Sequence, residues 1–396
     1  MSVQEKLGIY VSVPFCRAKC SFCNFASGVS GAGDIERYVG LLCSEIGAAG
    51  VTAERLGAAL PRVVDTVYFG GGTPSLLTPV QLERVFGALR AEFEIELGAE
   101  ITLEAAPGQI AEEVLEAAMR LGVNRVSLGV QSFVDRESAA VGRSHTGESC
   151  VAEIRRLRAA GVGEVGADLI AGLPYQTASS WKESLRVAGE LGREGVLTHL
   201  SVYMLEIDED SRLGREVLGG GLRIHAPAVC SDELAAEMYE RACEVLPEFE
   251  FEQYEISNFA LRGSESRHNR KYWERAPYFG FGLDAHSMLR VEGSGPRAQN
   301  AVEAVRFANA DELALYAGEF VGEPVWVGET EALEERVFLG LRLMEGCVLP
   351  AEVLGGAREL VHEGLMWFRE GRFGLTLRGR LVSNEVFGSL LEGVAV

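Results

Sequence analysis

The chain has no apolar run approaching the ~18 to 20 residues that a membrane-spanning helix requires, although 47% of its 396 residues are apolar. A soluble protein with a sizeable core is expected. It also has no Lys/Arg-rich segment, and 37 basic side chains stand against 58 acidic ones for a formal net charge of -21. Phosphate backbones are held by concentrated positive charge, so no nucleic-acid partner is expected and the acidic surface serves solubility. The first residues, Met-Ser-Val-Gln-Glu-Lys-Leu-Gly, lack the basic start and apolar stretch of a signal peptide. That places the protein, as an expectation, in a reducing cytoplasm, which suits free thiols. Low-complexity segments are missing too, as are internal repeats beyond a βα rhythm.

A second Cys/His pair is likewise lacking. Of the 8 cysteines, Cys43, Cys150, Cys230, Cys243 and Cys347 are scattered singly. Cys16, Cys20 and Cys23 instead sit together in Val-Pro-Phe-Cys-Arg-Ala-Lys-Cys-Ser-Phe-Cys-Asn-Phe, directly after a predicted strand. Spacings of four and three residues let a short loop wrap the corners of a 4Fe-4S cube, and soft thiolates suit its irons. Three cysteines leave one iron open to a substrate or cofactor. Half of a structural zinc site is the competing reading, giving a zinc-stabilised binding module, but it needs a fourth ligand that the spacing does not supply. A disulfide fits less well, since cysteines this close pair only with strain.

The length suggests one large domain and a smaller one. Up to about Glu206, β-branched runs at 9–13, 66–69, 101–103, 125–129, 166–170 and 199–203 alternate with amphipathic stretches such as 79–93, N-capped by Thr78, and 111–121, closed by Gly122. Six such units demand a parallel α/β sheet covered by helices, open or curled as a partial barrel. Polar groups fall at the strand ends: the cysteines after the first, Gly70 to Pro74 after the second, Glu104 on the third, Gln131 on the fourth, Asp168 on the fifth, Tyr203 and Glu206 on the sixth. One rim collecting one group per strand is the layout of a barrel active site. Beyond Gly219-Gly220-Gly221 the rhythm stops; a helix is expected over 232–246, and beyond Glu329 a helix, a further helix near Leu360 and an alternating segment 373–381 predict a small winged-helix-like module. The expected divisions are 1–215, 216–325 and 326–396.

Within this frame the glycines of Gly70-Gly71-Gly72-Thr73-Pro74 permit positive φ and close approach to a polar ligand. Glu104 and Asp168 are carboxylates in apolar surroundings, where they need a partner such as a ligand hydroxyl or ammonium. Arg143 suits a carboxylate of ligand or protein, with a surface ion pair as the alternative. His-Asn-Arg-Lys-Tyr-Trp, His268 to Trp273, followed by the Gly280 to His286 segment, suits a flat aromatic ligand or an iron held through imidazole.

The CxxxCxxC loop followed by Gly-Gly-Gly-Thr-Pro resembles the radical S-adenosylmethionine enzymes. Val-Tyr-Phe-Gly-Gly-Gly-Thr-Pro-Ser, Gly-Val-Asn-Arg-Val-Ser-Leu-Gly-Val-Gln-Ser-Phe, Asp-Leu-Ile-Ala-Gly-Leu-Pro-Tyr-Gln, Tyr-Glu-Ile-Ser-Asn-Phe-Ala and His-Asn-Arg-Lys-Tyr-Trp are similar to the HemN/HemW family, on its haem chaperone-like branch. The resemblance implies a partial (β/α)6 TIM-like radical-SAM barrel with a smaller α+β C-terminal region. It implies that Cys16, Cys20 and Cys23 hold a 4Fe-4S cluster, and that Tyr10, Phe22, Gly71, Gly72, Thr73, Glu104, Gln131, Arg143 and Asp168 line an S-adenosylmethionine pocket. It also implies haem as a ligand, with His268 the favoured contact beside Tyr272 and Trp273, and a haem-accepting protein as partner. Radical chemistry would draw its electron from a donor such as flavodoxin or ferredoxin. Phe25 stands where the coproporphyrinogen-oxidising branch carries a further cysteine, and that branch's N-terminal extension is not seen, so chaperoning is expected over oxidative decarboxylation. Asn24 departs from the family's usual aspartate.

Overall fold

The computed structural model describes residues 5–291 and 302–391. Six strands, β1 (Leu7–Val13), β2 (Val63–Gly71), β3 (Glu94–Ala105), β4 (Arg125–Gln131), β5 (Glu164–Ala171) and β6 (His199–Met204), pair in parallel in chain order. Each contains the run expected from sequence, and β2 and β3 extend well beyond it. Local signals set the connections. Thr78 and Gln81 form a capping box with Pro79 at the first turn of the helix Pro79–Glu92, and Gly122 takes φ 103 to end the helix Glu112–Leu121.

The strands alternate with period two, and the two faces differ in kind. Ile9, Val11, Val67, Phe69, Leu103, Val126, Leu128, Leu169 and Leu200 are buried in one apolar core with the surrounding helices. The intervening residues include Tyr10, Ser12, Tyr68, Glu104, Ser127, Asp168 and Ser201. A curled sheet whose concave face is polar carries a binding site rather than a packed interior.

Residues 252–328 continue this sheet at both edges. At one, β7 (Glu252–Gln253) and β8 (Asn258–Ala260) add antiparallel to β6. At the other, β9 (Tyr278–Phe281) lies parallel to β1 and leads into an antiparallel run of β10 (His286–Arg290), β11 (Val302–Ala308) and β12 (Val325–Gly328). The helix Asp232–Val245, capped by Ser231, packs on the same core through Met238, Tyr239 and Ala242.

The last segment gathers a second core, from Val337 and Leu341 to Phe387 and Leu390. Its hairpin pairs β13 (Met366–Arg369) with β14 (Arg372–Leu375) across Glu370 and Gly371, both at positive φ, as a two-residue primed turn requires. The strand expected to run to 381 stops at Leu375 because Thr376 caps a helix, Leu377–Leu381, by accepting from Gly379 N.

Candidate cofactor site at the barrel mouth

The cysteine loop is held at the C-terminal end of β1. Cys16 N donates to Gly28 O at 2.9 Å, Ser21 N to Val141 O at 3.1 Å, and Leu213 N to Ser21 O at 2.7 Å. Gly72 makes room for it: a Cβ there would sit 2.7 Å from Phe15 N, Phe15 O and Val13 O. The adjoining amides bind the loop, Gly72 N to Val13 O at 2.9 Å and Thr73 N to Phe15 O at 2.7 Å, while Thr73 Oγ1 reaches Cys16 Sγ at 3.7 Å. Part of the glycine-rich motif therefore seats the cysteine loop, a role distinct from the expected contact with a ligand. Gly71, at φ 96, has Ser12 Oγ where a Cβ would go.

Cys20 is buried, whereas Cys16 and Cys23 are half-exposed. Burial pushes the Cys20 thiol up, and the guanidinium groups of Arg143 and Arg212 counter this. Among the described residues no three His, Cys, Asp or Glu side chains close around a single ion. A cube takes thiolates at separate corners, so three cysteines spread along one loop that is buttressed on several sides fit it.

Beside the loop, on the β3 to β5 flank, stand two carboxylates and a guanidinium. Glu104 accepts from Tyr68 Oη at 2.8 Å, and burial pushes its carboxyl up to about 7 against the pull of Tyr68, the Gly71 amide and Arg143. Asp168 accepts from Ser127 Oγ at 3.3 Å and is also raised by burial. Arg143 has a buried Nε without a partner among the described residues. Gly129 accommodates it, since a Cβ there would lie 2.8 Å from Arg143 Nη2 and 2.9 Å from Gln131 Nε2. Gln131, at φ 67, ends β4 with its side chain in this group. Phe22 packs against Val141, Ile170 and Leu173. An unsatisfied guanidinium facing carboxylates that are costly to charge suits a zwitterionic ligand: carboxylate to the arginine, ammonium or hydroxyls to the acids.

On the β1, β9 and β10 flank lies a cavity of about 290 Å³, lined by Tyr10, Ser12, Phe25, Gly71, Tyr272, Tyr278, Asp284 and His286. Tyr10 stacks on Tyr68 at 6.0 Å and Tyr272 meets Tyr278 edge-on at 4.7 Å, so its inner wall is aromatic with hydroxyl tips.

His268 does not reach this cavity. The helix Arg267–Trp273 docks on the opposite, N-terminal end of the strands, where Glu100 accepts from Ser266 Oγ and the Arg267 and His268 amides. The His268 ring is 1% exposed, with Nδ1 on Thr66 Oγ1 and Nε2 on Tyr272 Oη, both at 2.9 Å. Burial, then Lys271, lowers its pKa to about 3. In this ligand-free arrangement both ring nitrogens are taken up within the protein, and Nε2 holds Tyr272. Trp273 faces away from the cavity, under the Arg342 guanidinium at 4.1 Å. Sequence reasoning passed over Tyr68, Ser12, Ser127 and Ser201, all marked by the period-two alternation that placed Glu104 and Asp168.

A profile of the radical SAM superfamily matches residues 10–188. The chain is 30% identical to the heme chaperone HemW of Lactococcus lactis, over 98% of both chains. It is 33% identical to the mitochondrial radical S-adenosyl methionine domain-containing protein 1 of Bos taurus, over 85% of this chain and 73% of that one. Among solved structures it superposes on coproporphyrinogen III oxidase (HemN) from Escherichia coli with a TM-score of 0.78 and 23% identity, over 98% of this chain and 90% of that one.

Proposed function

We propose, from the premise that the chain belongs to the HemW family of the radical SAM superfamily, that it is a haem chaperone, binding haem and handing it to an acceptor protein. The observation that carries this reading is the near full-length identity with heme chaperones HemW of several bacteria, which spans the regions on both sides of the superfamily match. The superfamily brings a 4Fe-4S cluster and S-adenosylmethionine with it. Cys16, Cys20 and Cys23 would hold the cube, with Thr73 against one thiolate. Glu104, Asp168, Gln131 and Arg143 would hold S-adenosylmethionine, helped by Tyr10, Gly71, Gly72 and, through packing, Phe22. A reduced cube, when bound, would be able to supply an electron to the sulfonium of S-adenosylmethionine, and radical chemistry would need a donor such as a flavodoxin or ferredoxin.

The chain's own residues set the conditions for that occupancy. Arg143 supplies positive charge next to Cys20 and offers an unpaired N–H to a carboxylate. Glu104 gives up its proton as a cation arrives, because an opposite charge at close range favours the charged form. A reducing, cytoplasmic setting suits the eight free cysteines. No helix among the described residues is long and apolar enough to cross a membrane.

The test is anaerobic haem transfer. Reconstituted, haem-loaded protein is mixed with the haem-free form of a respiratory haem protein, and the acceptor's Soret band is followed. Transfer that depends on the loaded chain is expected. Stoichiometric decarboxylation of coproporphyrinogen with no transfer would overturn the reading in favour of a porphyrin-modifying enzyme.

A further inference from the structure

We infer that the segment directly after β6, residues 208–214, is the second half of the cluster's seat: Asp208 clamps the cysteine loop through Asn24, and Arg212 raises the reduction potential of the cube. This rests on the assignment of Cys16, Cys20 and Cys23 to the cluster. It goes beyond that assignment in naming two residues, Asp208 and Arg212, that lie outside every motif carrying the family resemblance.

The segment is built around Asp208. Its Oδ1 accepts from the Asp210 amide at 2.8 Å, a local turn of the kind aspartate favours. The Asp208 carbonyl accepts from Ser211 N at 3.1 Å and Ser211 Oγ at 3.0 Å. Gly214 lets the turn close, since a Cβ there would lie 1.9 Å from Asp208 O, and Ser211, Leu213 and Gly214 are all buried. Asp208 Oδ2 is left over, and it accepts from Asn24 Nδ2 at 2.7 Å. Two further bonds join the same two stretches, Leu213 N to Ser21 O at 2.7 Å and Arg212 Nη2 to Lys19 O. Gly72 and Thr73 hold the start of the cysteine loop, at Val13 to Cys16. This segment holds its end, at Lys19, Ser21 and Asn24, on both sides of Cys20 and Cys23.

The chemistry of the pair is complementary. An ionised carboxylate only accepts hydrogen bonds, so its partner has to donate. Asn24, the departure from the family's usual aspartate, supplies that N–H. An aspartate in its place would set a second carboxylate against Asp208, where like charges at contact range repel, and would add negative charge beside three thiolates. Arg212 acts on charge in the opposite sense. Its guanidinium is bonded to the carbonyl of Lys19, the residue before Cys20, and with Arg143 it favours the Cys20 thiolate. Reduction adds a negative charge to a cluster, and the charge and hydrogen bonding around it are among the quantities that set its potential. A cation held against the loop backbone therefore favours the reduced cube.

The experiment uses the full chain, reconstituted anaerobically, and reads two quantities: the rate at which a chelator removes iron, and the midpoint potential of the cluster followed by electron paramagnetic resonance. The variants are Asn24→Asp, Asn24→Asp combined with Asp208→Asn, Arg212→Gln and Arg212→Lys, with circular dichroism to confirm that each is folded. Asn24→Asp is expected to release iron at least about fivefold faster than wild type. The double variant restores an amide opposite a carboxylate with their places exchanged, and is expected to return to within about twofold of the wild-type rate. Arg212→Gln is expected to shift the potential negative by at least about threefold in the one-electron reduction equilibrium, or about 28 mV at ~59 mV per tenfold change, while Arg212→Lys keeps the wild-type potential. A wild-type release rate in Asn24→Asp, or a double variant as leaky as the single one, overturns the clamp. An unmoved potential in Arg212→Gln overturns the role given to its charge. A wild-type chain that takes up no iron overturns the cluster assignment itself, and the inference with it.

Discussion

A carboxylate set into the polar face of a barrel is costly to charge, and Glu104, although only partly shielded from solvent, has a pKa raised by burial to about 7. Between pH 4.5 and 7 the folded protein keeps a proton that the unfolded chain releases, so stability falls as pH rises through that window, by up to about 3 kcal/mol. Glu104→Gln should flatten this dependence in ligand-free urea melts at pH 5 and pH 8. The same substitution should weaken S-adenosylmethionine binding by about tenfold or more and remove its tightening as pH rises through 7, read by calorimetry. A pH-independent wild-type affinity would show that Glu104 does not face the ligand. His268 runs the other way. Its folded pKa of about 3 lies below the ordinary value near 6.5, so its contribution is complete above about pH 6.5 and is lost as pH falls toward 3. His268→Ala removes two buried hydrogen bonds and leaves a cavity, and should cost about 2 to 4 kcal/mol in urea melts at pH 7.5.

At the scale of elements, the loop between β1 and the following helix is positioned by the end of β2. Gly72→Ala would drive a methyl into the Phe15 and Val13 backbone. The loop would have to move, so the variant should reconstitute with well under half the wild-type iron while its far-ultraviolet circular dichroism stays close to normal. Normal iron loading would mean the loop can shift without losing the cube. This contact explains what was legible in the sequence. The strands, the cap at Thr78 and the glycine stop at Gly122 follow from local periodicity and turn chemistry, and the polar groups were found by their places at strand ends. Gly72's role depends on a partner 57 residues away in chain, and no local pattern encodes that. The packing of His268 was hidden for the same reason: His, Tyr and Trp within two turns of helix look alike in sequence whatever they touch, and the ligand-free contacts with Thr66 and Arg342 are non-local.

Across the whole molecule, the C-terminal module joins the barrel through two of the segments that carry the resemblance. Glu255, fully buried in the Tyr-Glu-Ile-Ser-Asn run, accepts from the Ser257 amide and the Asn258 side chain and faces Arg342 at 3.7 Å. Arg342 in turn covers Trp273, and Arg270 reaches Glu345 at 3.0 Å. Burial raises the Glu255 carboxyl, and Arg342 first, then Asn258 and Ser257, act against that rise. Removing one member of a buried pair strands the other, at about 3 to 5 kcal/mol; Arg342 is a quarter exposed, which places Arg342→Ala near 3. The module's core is separate from the barrel's, so the loss should appear in calorimetry as a lower-temperature transition splitting from the main one. Glu255→Gln combined with Arg342→Ala should recover part of the loss, because no charge is then left unpaired. A single transition, unmoved in Arg342→Ala, would mean that the module is held by its other contacts, such as Arg275 with Glu335 at 2.6 Å and Arg270 with Glu345.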